Sequence, residues 1–371
     1  MNDKAPLIVV SAVGLRQGGT LTILRDCLQH LSTMAVKGEA RVVALVHARR
    51  LADFPGIEYV EMPSIIKSWA RRLWCEYVTM HRISKHLPEA DLWLSLHDTT
   101  PRVHARRQAV YCQTSFPFYR RKLRDFYFNY KIALFSLLTR FAYQINVRRN
   151  RYLIVQQPWM REGLSRLLRV DREKFIVAPP QRSSIEVTPE PVAVPCFTFI
   201  YPSAPDCHKN VETLCEAARL LEREVGPGRF KVVLTLSGQE NRYTRWLHSR
   251  WGGVGSVDFA GYMSRERLYG YYEAARCLVF PSKVETWGLP ISEFGDTGKP
   301  MLLADLPYAH GTAAGYPAVA FFNPARPEEL KKLMRRVLEG DLSAFTPQPS
   351  RTVDGLTASS WKELFETLLD N

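Results

Sequence analysis

Two carboxylates, Glu285 and Glu293, stand eight positions apart in the stretch VFPSKVETWGLPISEFGDTGKPMLLAD, residues 279–305. An apolar strand, Cys277 to Phe280, runs into Pro281-Ser282, and a loop follows with Lys283, Glu285 and Trp287. Gly288 and Pro290 suit the opening of a helix, because proline is tolerated in a first turn. Gly298 suits its end. Eight positions is a little over two helical turns, so the two acids can lie on related faces. The backbone N–H groups around Trp287–Leu289 would be free at the helix start and suit an anionic group. Spacing alone favours two solvated surface acids; the strand, loop and helix around them argue for a site.

These residues need a framework, and the chain predicts one. Leu7–Val13 is a β-branched run followed by Gly14, Gly18, Gly19 and a helical pattern through Leu21, Leu24, Leu28 and Leu31. Strand, glycine loop and helix bring backbone N–H groups close to a phosphate. Further strands are expected at 41–47, 57–62, 91–96, 108–113, 152–157 and 174–178. Residues 179–195 carry Pro179, Pro180, Pro189, Pro191 and Pro195, a linker signature. The alternation then restarts, with strands expected at 197–201, 231–236, 257–260, 277–280, 301–304 and 319–322. The prediction is two doubly wound α/β domains, 1–180 and 197–355, joined by a linker at 181–196. A C-terminal helix, 356–371, would pack back on the first through Trp361, Leu364, Phe365 and Leu368. Ligands of such sheets sit beyond the carboxyl ends of strands. Gly18-Gly19, His97-Asp98, Gln113, Ser203, Gly238 and Ser282–Glu285 fall at those positions.

Composition narrows the classes. The 371 residues suffice for two ordinary domains. Seven scattered cysteines without a C-x-x-C argue for a reducing compartment and against a zinc site. The N-terminus reads as a first strand rather than a signal peptide, and no transmembrane helix is expected. The net charge of +13 is lopsided: residues 1–180 hold 29 Lys/Arg against 14 Asp/Glu. Within 102–151 there are 12 basic residues and one acid, Asp125. Such a patch seeks an anionic partner. Phe126–Ile145 adds an apolar helical stripe, which reads as a packed helix or a membrane-surface helix.

The segment PSKVETWGLPISE resembles the E-x7-E region of retaining family 4 glycosyltransferases. The resemblance is specific over 197–305 and looser before 180. It implies a GT-B fold, with two Rossmann-like domains facing each other across a cleft. The C-terminal domain would bind a nucleoside-diphosphate-sugar (GDP- or UDP-linked) and the N-terminal domain the acceptor. Glu293 would then bond the ribose hydroxyls, since one carboxylate accepts two O–H groups, and Glu285 would contact the donor sugar. Ser282 and the amides near Trp287, Gly288 and Leu289 would line the sugar and diphosphate. In YPSAPDCHKN, Lys209 would bind the diphosphate; in FAGYMS, the backbone around Tyr262 and Met263 would read the base. Gly18 and Gly19 would lie over the donor phosphates. No two aspartates are spaced as D-x-D, so no metal is expected; Lys209, helix N-termini and glycine-loop amides would supply the charge.

Two positions depart from the family pattern. An arginine usually found six residues before the lysine is Ser203, with Arg16 a possible substitute. The histidine usual at the end of one N-domain strand is Gln113, which bonds but takes no proton; His97, on a neighbouring strand, is the alternative. The resulting reading is a retaining, metal-independent transferase that adds a sugar to a lipid-linked or growing surface glycan, such as O-antigen or capsule. It would work peripherally at the cytoplasmic face of the plasma membrane, touching anionic lipid through its basic domain. The open alternatives are a nucleic-acid- or anionic-surface-binding protein, a nicotinamide oxidoreductase, and a glycosyltransferase-like scaffold without activity. A helix-turn-helix, an RNP motif and G-x-G-x-x-G are all absent, which disfavours nucleic acid and dinucleotide.

Overall fold

The computed structural model describes residues 5–370 except 17, 64, 66, 67, 121 and 182–186. Part of the linker expected at 181–196, and Arg121 of the basic stretch, therefore lie outside the described residues.

Short apolar runs become buried parallel strands, and the amphipathic stretches between them become helices. The first sheet comprises β1 (Leu7–Ala12), β2 (Arg41–Val46), β3 (Ile57–Glu61), β4 (Ala90–Ser95), β5 (Ala105–Tyr111), β6 (Tyr152–Val155) and β7 (Phe175–Val177). Its order is β3-β2-β1-β4-β5-β6-β7, all parallel. The second comprises β8 (Phe197–Tyr201), β9 (Phe230–Leu234), β10 (Val257–Phe259), β11 (Cys277–Phe280), β12 (Met301–Ala304) and β13 (Val319–Phe322), in the order β10-β9-β8-β11-β12-β13, again all parallel. Each sheet reverses its strand order once, between β1 and β4 and between β8 and β11. Those are the switch points where doubly wound sheets bind ligands.

The helices are α1 (Gly18–Val36), α2 (Trp69–Trp74), α3 (Met80–His86), α4 (Leu123–Gln144), α5 (Pro158–Leu168), α6 (Val211–Val225), α7 (Arg242–Trp251), α8 (Arg265–Ala274), α9 (Leu289–Gly295), α10 (Pro307–Ala313), α11 (Pro327–Leu338) and α12 (Trp361–Leu369). The basic run Trp69–His86 reads in the sequence as helical; a π-helical turn, Cys75–Thr79, joins α2 to α3 within it. In α4 the helical stripe is broken at Asn129 (φ −151°, ψ 79°).

The chain forms two compact units that do not follow its order. One holds 1–117, 138–183 and 353–371; the other holds 118–137 and 184–352. Sequence periodicity groups 118–137 with the N-terminal domain, whereas its contacts tie it to the second unit. Phe128 packs on Tyr243 and Trp246, with ring centroids 5.5 and 5.1 Å away. The Arg242 guanidinium lies 3.5 Å from the centre of the Tyr127 ring, and Arg124 pairs with buried Glu212. The break at Asn129 comes directly after the lodged Phe128, where tertiary packing overrides helical propensity.

In the first unit, α12 buries Trp361, Leu364, Phe365 and Leu368 in a core shared with Leu24, Leu28 and Leu94. Phe365 stacks on His30 at 5.6 Å. The approach to α12 is extended rather than helical: Val177 donates to Leu356 and Ala358 donates back to Val177. Arg161, buried, binds the Asp354 carboxylate at 2.6 Å.

Candidate functional site

The switch point of the second sheet gathers the residue types expected there. The chain leaves β8 and makes a single turn, Cys207–Lys209, before α6. Asn210 takes a left-handed conformation, φ 57°, and its amide donates to the carbonyls of Pro281 (3.0 Å) and Pro324 (2.8 Å). The Lys283 N–H donates to His208 O (2.7 Å) and the Tyr201 hydroxyl to Lys209 O (2.7 Å). The loop after β8 and the loop after β11 are thereby stitched together. The Lys209 ammonium meets Glu285 Oε1 at 2.6 Å, and the Ser282 hydroxyl donates to the same oxygen at 2.6 Å. Residues 76 positions apart thus form one cluster, with the Lys209 and Glu285 side chains only 17% and 14% exposed. Ser203 stands at the end of β8, its N–H donating to Thr235 Oγ1 at 2.9 Å.

Gly288 caps α9 at φ +90°, and a Cβ there would lie 3.2 Å from Ile291 Cδ1 and 3.4 Å from Phe280 Cε1. Both the backbone angle and the space call for glycine. Trp287 is buried beside it; its indole N–H donates to Ser292 Oγ (3.2 Å), and the Arg351 guanidinium covers its ring at 4.9 Å. Leu289 opens α9. Glu293, one turn further, faces α8, where the Tyr272 hydroxyl donates to Oε2 at 3.1 Å. Burial raises the Glu293 pKa, opposed by Tyr272 and Arg265. Met263 is buried and Tyr262 is 93% exposed, in the loop after β10.

A second buried cluster lies under the glycine loop of the first sheet; the sequence singles out its His97, Asp98 and Gln113 but not its Glu76. His97 follows β4 but is only 2% exposed, so it holds its neighbours in place rather than facing solvent. Its Nε2 accepts the Gly14 N–H at 3.4 Å, and a Cβ on Gly14 would sit 3.1 Å from His97 Cε1. The π-helical turn brings Glu76 Oε1 to 3.8 Å from Nε2. Despite that distance the two are not an ion pair. Burial pushes Glu76 up to about 7, and burial with nearby Arg72 pushes His97 down to about 3. A ring nitrogen that accepts from Gly14 is likewise a neutral one. Gln113 turns its amide back to Leu96 O (2.9 Å), while Asp98 accepts from the N–H groups of Gln113 and Thr114 (2.8 Å each). Gly18 (φ +63°) and Gly19 open α1, four and five residues past Gly14.

Sequence reading also missed Tyr272, the partner of Glu293, and Glu212, which accepts from Lys283 (3.0 Å), Arg124 and Tyr243. Burial works against the Glu212 charge, but these three donors hold its pKa below the ordinary carboxylate value. Their sequence separations leave no local signal. Among the described residues, no group of three or more His, Cys, Asp or Glu is placed to hold a metal ion, and no helix is long and apolar enough to cross a membrane.

Two parallel Rossmann-like domains with their ligand edges at the switch points define the GT-B fold. Residues 196–350, most of the second unit, match the family model described as glycosyl transferases group 1. A stretch of 114 residues is 32% identical to O-antigen chain mannosyltransferase B of Escherichia coli, covering 29% of this chain and 28% of that protein. Two solved structures share the fold across nearly the whole chain. WaaG, a glycosyltransferase involved in lipopolysaccharide biosynthesis, is 16% identical with a TM-score of 0.60, over 90% of this chain and 94% of that one. Anabaena HepE in complex with UDP-glucose is 13% identical with a TM-score of 0.63, over 91% and 92%.

Proposed function

We propose that the protein is a retaining glycosyltransferase that moves a sugar from a nucleoside diphosphate to a lipid-linked or growing surface glycan. The observation that carries this reading is the Lys209–Glu285–Ser282 cluster at the β8/β11 switch point, inside the matched domain. It is supported by the complex of HepE with UDP-glucose and by the surface-glycan roles in the names of the O-antigen mannosyltransferase and WaaG.

Each residue has a physical task in this proposal. A diphosphate leaving group gains negative charge as the glycosidic bond breaks, and preorganised cations and dipoles stabilise it. Lys209 supplies the cation, with no metal required. In the present arrangement its ammonium is held by Glu285, so the incoming diphosphate takes over part of that contact. Glu285 then faces the sugar, whose ring gains positive charge in the transition state. Glu293 accepts from the ribose hydroxyls, oriented by Tyr272. Backbone groups at Trp287, Gly288 and Leu289 line the diphosphate, and those of Tyr262 and Met263 read the base. The first domain binds the acceptor; His97 and Gln113 shape its switch point, and Gly18-Gly19 open its phosphate-facing loop. The basic stretch 102–151 brings the enzyme to an anionic membrane face.

The test is a melting-temperature screen against UDP, GDP and their sugars. A ligand at 100 times its Kd adds about 2.7 kcal/mol to the stability of the unit that binds it. One nucleotide class should shift the melting of wild type and not of Lys209→Ala. No shift with any nucleoside diphosphate would remove the reading.

A further inference from the structure

The first unit contains an open cavity of about 480 Å³ at the end of α4. Four arginines line it: Arg140 on α4, Arg148 and Arg149 on the turn that follows, and Arg169 just past α5. No carboxylate lines it, and none of the four guanidinium groups is in an ion pair among the described residues. Four like charges around one concavity repel each other, and they raise the local concentration of anions. Arg169 also lies outside the basic stretch that the sequence singles out.

The cavity is rigidly built. Arg148 and Arg149 sit on a single 3-10 turn, Val147–Arg149, whose Val147 is buried. Asn146 and Asn150 flank that turn and both donate to Thr100, to its carbonyl at 3.3 Å and to its hydroxyl at 2.7 Å. Gln144 ties the end of α4 to Leu167 O at 3.2 Å. Three non-glycine residues of the described chain have positive φ, and two of them, Asn146 (59°) and Arg169 (55°), line this cavity. Such strain persists where the surroundings over-determine it, and it concentrates at ligand sites. Immediately beside the arginines, α4 exposes Leu138 and Phe141, and Ile145 is exposed in the turn that follows it. They recur at i, i+3 and i+7, the spacing of one helix face.

We propose that this cavity is a headgroup site: it takes the phosphate of an anionic membrane lipid, with Leu138, Phe141 and Ile145 against the acyl region. Guanidinium groups match phosphate oxygens in paired hydrogen bonds, and clusters of Lys/Arg on an amphipathic helix bind anionic headgroups. The inference rests on the reading that the protein works at a membrane, and it localises that contact to one pocket.

Cosedimentation tests it. Wild type is compared with Arg148→Gln/Arg149→Gln/Arg169→Gln and with a charge-matched control, Arg25→Gln/Lys37→Gln/Arg41→Gln, whose residues are exposed on α1, on the turn after it and on β2. The vesicles are phosphatidylcholine alone, or equimolar phosphatidylcholine and phosphatidylglycerol. The expected result is binding of wild type to the anionic vesicles, a loss of roughly 10²-fold in the pocket triple, and a much smaller loss in the control. The scale is that of three basic residues at an anionic surface. Equal losses in the two triples would overturn the pocket while leaving the membrane reading intact. Wild type bound to neither vesicle would overturn both. Unchanged vesicle binding by the pocket triple, together with saturable calorimetric binding of inorganic pyrophosphate lost in that triple, would overturn it in favour of a soluble anion.

Discussion

Replacing Lys209 by methionine isolates the central contact of the second domain. The ammonium lies 2.6 Å from Glu285 Oε1, and both side chains are more than four-fifths buried. Removing one member of a buried pair leaves the other charge unpaired, which costs about 3–5 kcal/mol in a dry interior. The Ser282 hydroxyl still donates to Glu285 at 2.6 Å, and the site keeps some solvent access. A loss near the lower end, about 3 kcal/mol, follows, or roughly 6–12 °C in the melting of a unit this size. Glu285→Gln removes the charge but keeps the Ser282 contact, so it costs less. The double variant has neither stranded charge, and should be more stable than the sum of the single losses by about 2 kcal/mol. Differential scanning calorimetry of the four proteins closes the cycle. Nucleoside diphosphate adds a second readout: Lys209→Met should lose it, while Glu285→Gln, whose ammonium is free, should bind at least as tightly as wild type. Additivity within about 0.5 kcal/mol, or unimpaired diphosphate binding by Lys209→Met, would refute the account.

Four further outcomes follow from the geometry of the two clusters. Glu293→Ala should raise the donor KM with a smaller fall in kcat, the pattern of a contact present in ground and transition states alike. Glu285→Ala should instead lower kcat by about 10²-fold or more while free diphosphate binds at least as well as to wild type; the reverse pattern would exchange the two roles. The buried Glu76–His97 pair gives opposed pH dependences. A carboxyl raised from 4.5 to about 7 contributes stability at low pH that is lost as pH rises through that window, so His97→Asn, which leaves Glu76, should lose stability between pH 4.5 and 7. A histidine lowered from 6.5 to about 3 acts oppositely, so Glu76→Gln should lose stability as pH falls below 6.5; chemical denaturation across pH that shows the same slope in both variants would contradict the neutral pair. On the role proposed for Lys209, as the charge that a metal would otherwise supply, turnover should persist in excess chelator; loss with EDTA and rescue by Mn²⁺ or Mg²⁺ would overturn that assignment.

Strand–helix alternation and apolar periodicity made both sheets readable, with most strands placed within two residues of their observed ends. The local structure of the Ser282–Glu293 stretch was legible because strand, loop, glycine and helix are contiguous. The rest depends on contacts between distant residues. Glu76 reads as one position in a basic helix, and only the π-helical turn aims it at His97, 21 residues away in sequence. Tyr272 gives no sign that it will face Glu293, and Arg124 none that it will reach Glu212, 88 residues on. The break at Asn129 interrupts a regular apolar stripe because Phe128 finds Tyr243 and Trp246. Helix α10 was missed, since Pro307–Ala313 is short and has weak periodicity; its Tyr308 hydroxyl nonetheless supports the site by donating to Ser282 O at 2.7 Å.

The most direct measurement is the transfer itself. Purified protein would be incubated with a panel of UDP- and GDP-sugars and lipid-linked oligosaccharide from bacterial envelopes, with nucleoside diphosphate release and product mass followed together. One donor class is expected to yield nucleoside diphosphate in equal amount to a product one sugar heavier, with both signals lost in Glu285→Ala. Product formation undiminished in Glu285→Ala, or no sugar transferred from any donor in the panel, would contradict it.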